Sequence, residues 1–78
     1  MFLVLCIQNG QFILQESDIN TIPKTAMNFF DFQKKENFSF ENLIKITKLS
    51  TNDILDLGLR GLITPEAQKI IQKKILIQ

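Results

Sequence analysis

The chain has 78 residues, a net charge of +1 and 22% charged residues, and it contains no His, Trp or Tyr. This length fits one small domain over residues 1–78 and excludes barrel enzymes and doubly wound sheets. Hydrophobic residues make up 45% of the chain, so we expect a folded domain rather than disorder. Because there is no basic excess, the composition does not favour non-specific binding to nucleic acid phosphates.

The residue type that most often acts as a general base near neutral pH is missing. Without His, the chain has no ordinary general base near neutral pH and no Ser–His or Cys–His pair. Cys6 is the only Cys, which excludes an intrachain disulfide and leaves a zinc site with one thiolate at most. The sequence therefore predicts a non-enzyme with no catalytic, cofactor-binding or metal residues and no small-molecule substrate.

Cys6 lies within an apolar run over residues 2–7, directly after Met1. We expect it to behave as a small buried hydrophobic side chain. The run lacks a basic segment before it and is shorter than a signal peptide core or a membrane span. The prediction is a soluble intracellular protein of the cytoplasm or nucleus that does not bind membranes.

The first predicted element is a β-hairpin. Residues 2–7 form an apolar strand, Asn9-Gly10 is typical of a type I′ turn, and residues 11–15 form the returning strand. In such a turn both central residues adopt positive φ. Because the first strand is apolar on both faces, we expect it to lie inside a sheet or under helices.

Helical patterns follow the hairpin. Pro23 fits the first position of a helix over 23–33, and Phe38-Ser39-Phe40 fits either a short third strand or a helix start capped by Ser39. Gly61 fits a left-handed position after a helix end. The three later helices are predicted over 40–48, 51–60 and 65–75 from their caps and apolar spacing. The fold class is α+β, with an N-terminal hairpin and about four short helices.

Four segments of the chain follow the order of motifs in one known protein family. Residues 4–14 resemble the opening hairpin of that family, and residues 21–27 resemble the segment that opens its first helix. Residues 48–57 resemble its Leu-Leu-Asp-Leu stretch, and the Thr-Pro-Glu at 64–66 resembles the start of a later helix. Together these segments resemble the BTB/POZ-fold adaptor family, the elongin C-like subunits of ubiquitin ligases. The resemblance implies an adaptor that binds an amphipathic helix of a partner and has no catalytic residues.

A helix-turn-helix over residues 42–60 is the alternative interpretation, which makes the chain a small DNA-binding transcriptional regulator. The two predicted helices and the turn between them have roughly the required spacing. Asp53 and Asp56 lie on the second helix, where carboxylates repel phosphates, and no Arg or Gln is placed to contact base edges. We therefore expect no specific DNA binding.

The apolar content favours a protein partner or self-association. Seven Phe residues are a large load for 78 residues, and Phe29, Phe30 and Phe32 cannot all point to one side of a helix. The preferred hypothesis is a non-catalytic interaction module, an adaptor or a small subunit, that docks on a larger protein through apolar helix surfaces. The residues predicted to contact the partner are Phe29, Phe32, Leu55, Leu59 and Ile70.

Overall fold

The computed structural model describes the backbone of residues 2–77 and the side chains of residues 2–75. The strands are β1 (Phe2–Gln8), β2 (Gln11–Ser17), β3 (Met27–Asn28) and β4 (Gly61–Ile63). The helices are α1 (Phe29–Glu36), α2 (Phe40–Thr47), α3 (Thr51–Arg60) and α4 (Pro65–Ile77), and a 3-10 turn covers Ile19–Thr21. The predicted α+β class, with its N-terminal hairpin and four helices, is confirmed.

The hairpin has the turn that its sequence predicts. Asn9 has φ 53° and Gly10 has φ 76°, the left-handed conformation that a type I′ turn requires at both positions. Gln8 lies opposite Gln11, and Leu5 lies opposite Leu14. The local turn therefore sets the register of the whole hairpin.

The four strands form one sheet in the order β2-β1-β4-β3, so β1 is an interior strand as predicted. β1 is antiparallel to β2 and parallel to β4, and β3 is antiparallel to β4. The parallel contact joins residues that are far apart in the chain, since Leu3 lies opposite Gly61 and Leu5 lies opposite Ile63. β1 thus connects the local hairpin to the end of α3.

One face of the sheet carries the helices. Alternation along β1 places Leu3 and Leu5 on this face, where α3 and α4 pack, while α1 packs on β4 and α2 packs on α3 and α4. Burying these apolar side chains supplies the main driving force for folding, roughly 25 cal/mol for each Å² removed from water. The largest fully buried side chains are Leu5, Phe29, Phe32, Leu43, Ile54, Leu57, Ile63 and Ile71.

Short polar side chains define the helix starts. Asn28 accepts a hydrogen bond from the backbone N–H of Asp31, Ser39 accepts one from Asn42, and Ser50 accepts one from Asp53. Each bond satisfies an N–H group that has no partner within its own helix. The predicted start of α3 and the Ser39 cap of α2 are confirmed.

The helix predicted over 23–33 begins later than expected. Pro23 lies in a single turn, where its carbonyl accepts from the N–H of Ala26 at 3.0 Å, and residues 27–28 then form β3. The helix starts only after Asn28, whose side chain caps it. Pairing of β3 with β4 therefore overrides the local helix-start signal at Pro23.

The structure decides between the two alternatives at residues 38–40 and places Gly61, directly after α3, in a strand. No strand forms at residues 38–40, because Ser39 caps α2. The buried Phe38 ring packs edge-on against the Phe32 ring, with 5.6 Å between the ring centres. Gly61 is not left-handed, since its φ of −102° is extended and it begins β4. A Cβ at Gly61 would lie 2.6 Å from the Leu57 Cα, so this strand packs too closely on α3 for a side chain there.

Replacing Gly10 with Val should lower the free energy of unfolding by about 1–2 kcal/mol, because a β-branched residue is strained at positive φ. Chemical denaturation followed by circular dichroism measures the change. Gly58→Ala is the matched control, because Gly58 lies within α3 and an added Cβ meets no atom within 4 Å. That control should be neutral or stabilising, and an unchanged midpoint for Gly10→Val contradicts the assigned turn.

Candidate interaction surface

The structure divides the five predicted partner residues between core and surface. Phe29 and Phe32 are 0% and 1% exposed, so they form part of the core and not of a surface that a partner could reach. Ile70 is half-buried on α4. Leu55 and Leu59 are 47% and 86% exposed, so these two alone among the five present large apolar side chains to solvent.

The Phe residues separate as their spacing predicts. Phe29 and Phe32 point into the core, whereas Phe30 is 45% exposed and its ring lies 5.1 Å from the Nζ of Lys34. Phe2 and Phe40 are also exposed on the surface. The three rings of the α1 cluster therefore do not share one side of the helix, and the exposed one is Phe30.

Leu55 and Leu59 lie on an uncharged strip along the solvent side of α3. Helical geometry places them one turn apart and away from the buried Ile54 and Leu57, while Asp56 and Arg60 occupy the other flank of the solvent side. All residues of the strip are exposed except Gly58, which is half-buried. We call this surface the α3 outer face; its residues are Thr51, Asn52, Leu55, Gly58 and Leu59.

The solvent-facing sides of the other helices have ordinary charged surfaces. Each carries exposed charged side chains beside any exposed apolar residue, as is typical of a solvated amphipathic helix. The charged exposed residues are Asp31, Lys34 and Lys35 on α1, Glu41 and Lys45 on α2, and Glu66, Lys69, Lys73 and Lys74 on α4. On α3 the charged side chains of Asp56 and Arg60 flank the α3 outer face, whose own residues are all uncharged.

Gly58 adds a flat area to the α3 outer face. A Gly in the interior of a helix costs about 1 kcal/mol relative to Ala. Nothing within the chain requires it here, because its φ is not positive and an added Cβ would meet no atom within 4 Å. The missing side chain leaves the helix backbone accessible beside Leu55 and Leu59.

An ion pair borders the α3 outer face. The Nε of Arg60 donates to Asp56 Oδ1 at 2.9 Å, and the Nη2 of Arg60 donates to Asp56 Oδ2 at 3.1 Å. Arg60 also lies 3.8 Å from a Glu16 carboxylate oxygen on β2. The hydrogen bonds from Arg60 hold the pKa of Asp56 below its ordinary value. The charge of Arg60 is therefore neutralised within the chain.

Cys6 lies on the sheet face opposite the helices. It is half-buried, and its Sγ lies 3.7 Å from the Ile13 carbonyl oxygen, to which the thiol donates. Burial, together with the charge of Glu66, raises the pKa of the Cys6 thiol, which leaves less thiolate at neutral pH. These features are those of a structural thiol rather than a nucleophile.

The remaining surface offers little for chemistry. A cavity of about 290 Å³ lies between the hairpin turn and the end of α2, with Phe12, Lys48 and Lys74 in its lining. Within residues 2–77, no three His, Cys, Asp or Glu side chains are grouped as metal ligands. None of the helices in that range combines the length and apolar character that a bilayer crossing requires.

The α2 and α3 helices have the outline of a helix-turn-helix, since residues 48–50 join them and they pack on each other. Lys48 ends α2 in the left-handed conformation at φ 61°, which makes the turn tight. In that arrangement the second helix, α3, would contact DNA through its outer face. That face has two polar side chains, Thr51 and Asn52, and no cation.

Comparison of the chain with protein families, curated proteins and solved structures found no match in any of the three sets.

Sequence reasoning identified Leu55 and Leu59 but missed the face to which they belong. The available signal was the helical spacing of uncharged residues at 51, 52, 55, 58 and 59 in a chain with 22% charged residues. Phe29 and Phe32 are buried and Phe30 is exposed, because burial depends on which elements pack against α1.

Replacing Arg60 with Ala should raise the pKa of Asp56 towards its ordinary value, because the hydrogen bonds that lower it are lost. In the native chain the pair stabilises the fold above the unfolded-state pKa of Asp56, and this contribution disappears as pH falls through the lower folded-state pKa. NMR titration of the Asp56 carboxyl carbon measures the shift. Lys69→Ala, on another helix, is the control, and an unchanged Asp56 pKa in Arg60→Ala contradicts the assignment.

Proposed function

We propose that the chain is a non-catalytic protein-interaction module, an intracellular adaptor or small subunit, that docks on a larger protein through the α3 outer face. The observation that carries the proposal is the pair Leu55 and Leu59, 47% and 86% exposed on a helix face without charges. Large apolar side chains that remain in water on a folded small domain mark a surface that gains free energy when it is covered.

The occupant we propose is an amphipathic helix of the partner, packed along α3. Two helices in contact lie with their axes 8–10 Å apart, and the smallest separations require small residues at the contact. Gly58 supplies such a residue between Leu55 and Leu59, and no contact within the chain explains it. The partner helix should present apolar residues three and four positions apart towards this face.

The resemblance of the chain to BTB/POZ-fold adaptors supports the same kind of function. Those adaptors bind an amphipathic helix of another protein and have no catalytic residues. The residues that carry the resemblance include 48–57, and this stretch contributes the first two turns of α3 and Leu55. The absence of His from the chain agrees with a binding role, because the usual general base is missing.

Replacing both Leu55 and Leu59 with Ser should weaken partner binding by about 10–100-fold, because the apolar area buried in the complex is lost. The wild-type chain serves as bait at low and high salt, and each captured protein is then purified and titrated by calorimetry. An apolar contact persists at the higher salt. The free energy of unfolding of the double variant should fall by about 1 kcal/mol or less, since both side chains are exposed or half-exposed.

Ile19→Ser is the matched control, because Ile19 is 71% exposed and lies on the 3-10 turn, away from α3 in the chain. It removes a similar apolar side chain and should leave binding unchanged. If Ile19→Ser weakens binding as much as the double substitution does, the association is non-specific and hydrophobic, which contradicts docking through the α3 outer face. A bound partner that is indifferent to Leu55 and Leu59 overturns the proposal.

Specific DNA binding through α3 is the alternative, and the surface chemistry predicts that it does not occur. The α3 outer face has no Lys or Arg, and Arg60 is already paired with Asp56. A band-shift titration with a random duplex pool at low salt should show no nanomolar complex. A nanomolar complex that is lost in Asn52→Ala but kept in Leu55→Ser would establish the alternative.

A further inference from the structure

The outer edge of β2 is separate from the α3 outer face and has a different chemistry. β2 is the first strand in the sheet order and pairs only with β1, over all seven of its residues and without a bulge. The other long side of β2 pairs with no strand formed by residues 2–77. A strand edge of this kind exposes a row of backbone donors and acceptors.

The backbone groups at this edge can be identified from one hydrogen bond. The Leu5 carbonyl accepts from the N–H of Thr64 at 3.1 Å, so the Leu5 backbone faces away from β2. Leu5 and Leu14 are therefore a non-hydrogen-bonded pair, and the N–H and C=O of Leu14 point outward from the sheet. By alternation the backbone groups of Phe12 and Glu16 point outward as well.

The edge lacks the features by which proteins prevent strand pairing. β2 contains no Pro, no Lys and no Arg, and its centre is Phe12-Ile13-Leu14. Its one charged residue is Glu16. The strand thus has the length, the composition and the regular register of a surface that pairs with another strand.

We propose that two copies of this chain pair through β2, antiparallel and with Leu14 opposite Leu14 at the two-fold axis. This register places Phe12 of each copy opposite Glu16 of the other. In this register Phe12, Leu14 and Glu16 of both copies all belong to hydrogen-bonded pairs. Three such pairs with two bonds each give about six new backbone hydrogen bonds. The result is a continuous eight-stranded sheet.

Charge complementarity selects a second copy over an unrelated strand. The Nζ of Lys74 lies 5.7 Å from the centre of the Phe12 ring, on the helix-bearing side of β2. Side chains directly opposite each other in an antiparallel pair have Cβ atoms about 5 Å apart and share a face. Glu16 of the second copy therefore comes within reach of Lys74, and the two-fold axis makes this pair twice.

α4, which carries Lys74, packs on β1, the strand next to β2. Lys74 therefore extends from α4 over β2 towards the free edge of that strand. Each Glu16 carboxylate remains 3.8 Å from the guanidinium of Arg60 in its own chain. In the dimer this carboxylate would therefore lie between two cations, its own Arg60 and Lys74 of the second copy. An interface formed by one strand pair and two exposed ion pairs is small, so the dimer should be weak and dependent on concentration.

Sedimentation equilibrium of the isolated chain between about 10 µM and about 500 µM tests the proposal. The wild-type chain should dimerise within this range. Glu16→Lys and Lys74→Glu should each weaken association at least about tenfold, because each places like charges opposite each other. The double exchange Glu16→Lys/Lys74→Glu restores opposite charges in the same register, so it should recover association to within about threefold.

The matched controls are Glu41→Lys and Lys69→Glu, which make the same charge changes at exposed positions on α2 and α4 and should leave the dimer intact. Circular dichroism checks that each variant is folded. A chain that stays monomeric throughout the range overturns the proposal, as does a double exchange that fails to restore association. Loss of the dimer in Leu59→Ser but not in Glu16→Lys also overturns it, since the interface is then on α3.

Discussion

The interior position of β1 is the constraint on which the rest of this fold depends. β1 forms a local antiparallel pair with β2 and a long-range parallel pair with β4. Its Leu5 is fully buried, and its carbonyl accepts from Thr64 at the start of the last helix. A strand apolar on both faces is stable only with neighbours on both edges, so the end of α3 must return to the sheet.

That return explains why the molecule has two unlike surfaces. β4 has three residues and follows α3 without a loop, so it ties α3 to the sheet with Ile54 and Leu57 inward and Leu55 and Leu59 outward. The opposite end of the sheet stays open at β2, because no strand of residues 2–77 pairs there. The first surface offers apolar side chains and the second offers backbone hydrogen bonds, which are the two common means of protein recognition.

Local sequence signals were sufficient to predict a turn or a helix start wherever a side chain acts on the backbone only a few residues away. Asn9-Gly10 fixed the hairpin, and Ser39 and Ser50 fixed two helix starts, because the bonds involved span only a few residues. Pro23 is the counterexample. Its sequence context suits a helix start, yet the adjoining residues join the edge of the sheet, and Asn28 caps α1 instead. The free energy gained by β3 pairing is invisible in a local window.

The sequence by itself determined the α+β class, the hairpin register, the start of α2 and the span of α3. These follow from composition and from interactions a few residues apart. Only the tertiary structure decided that residues 61–63 form a strand beside β1, since three residues carry no periodic signal of their own. It also decided that Phe29 and Phe32 are core while Phe30, Leu55 and Leu59 are surface, because burial depends on which elements pack together.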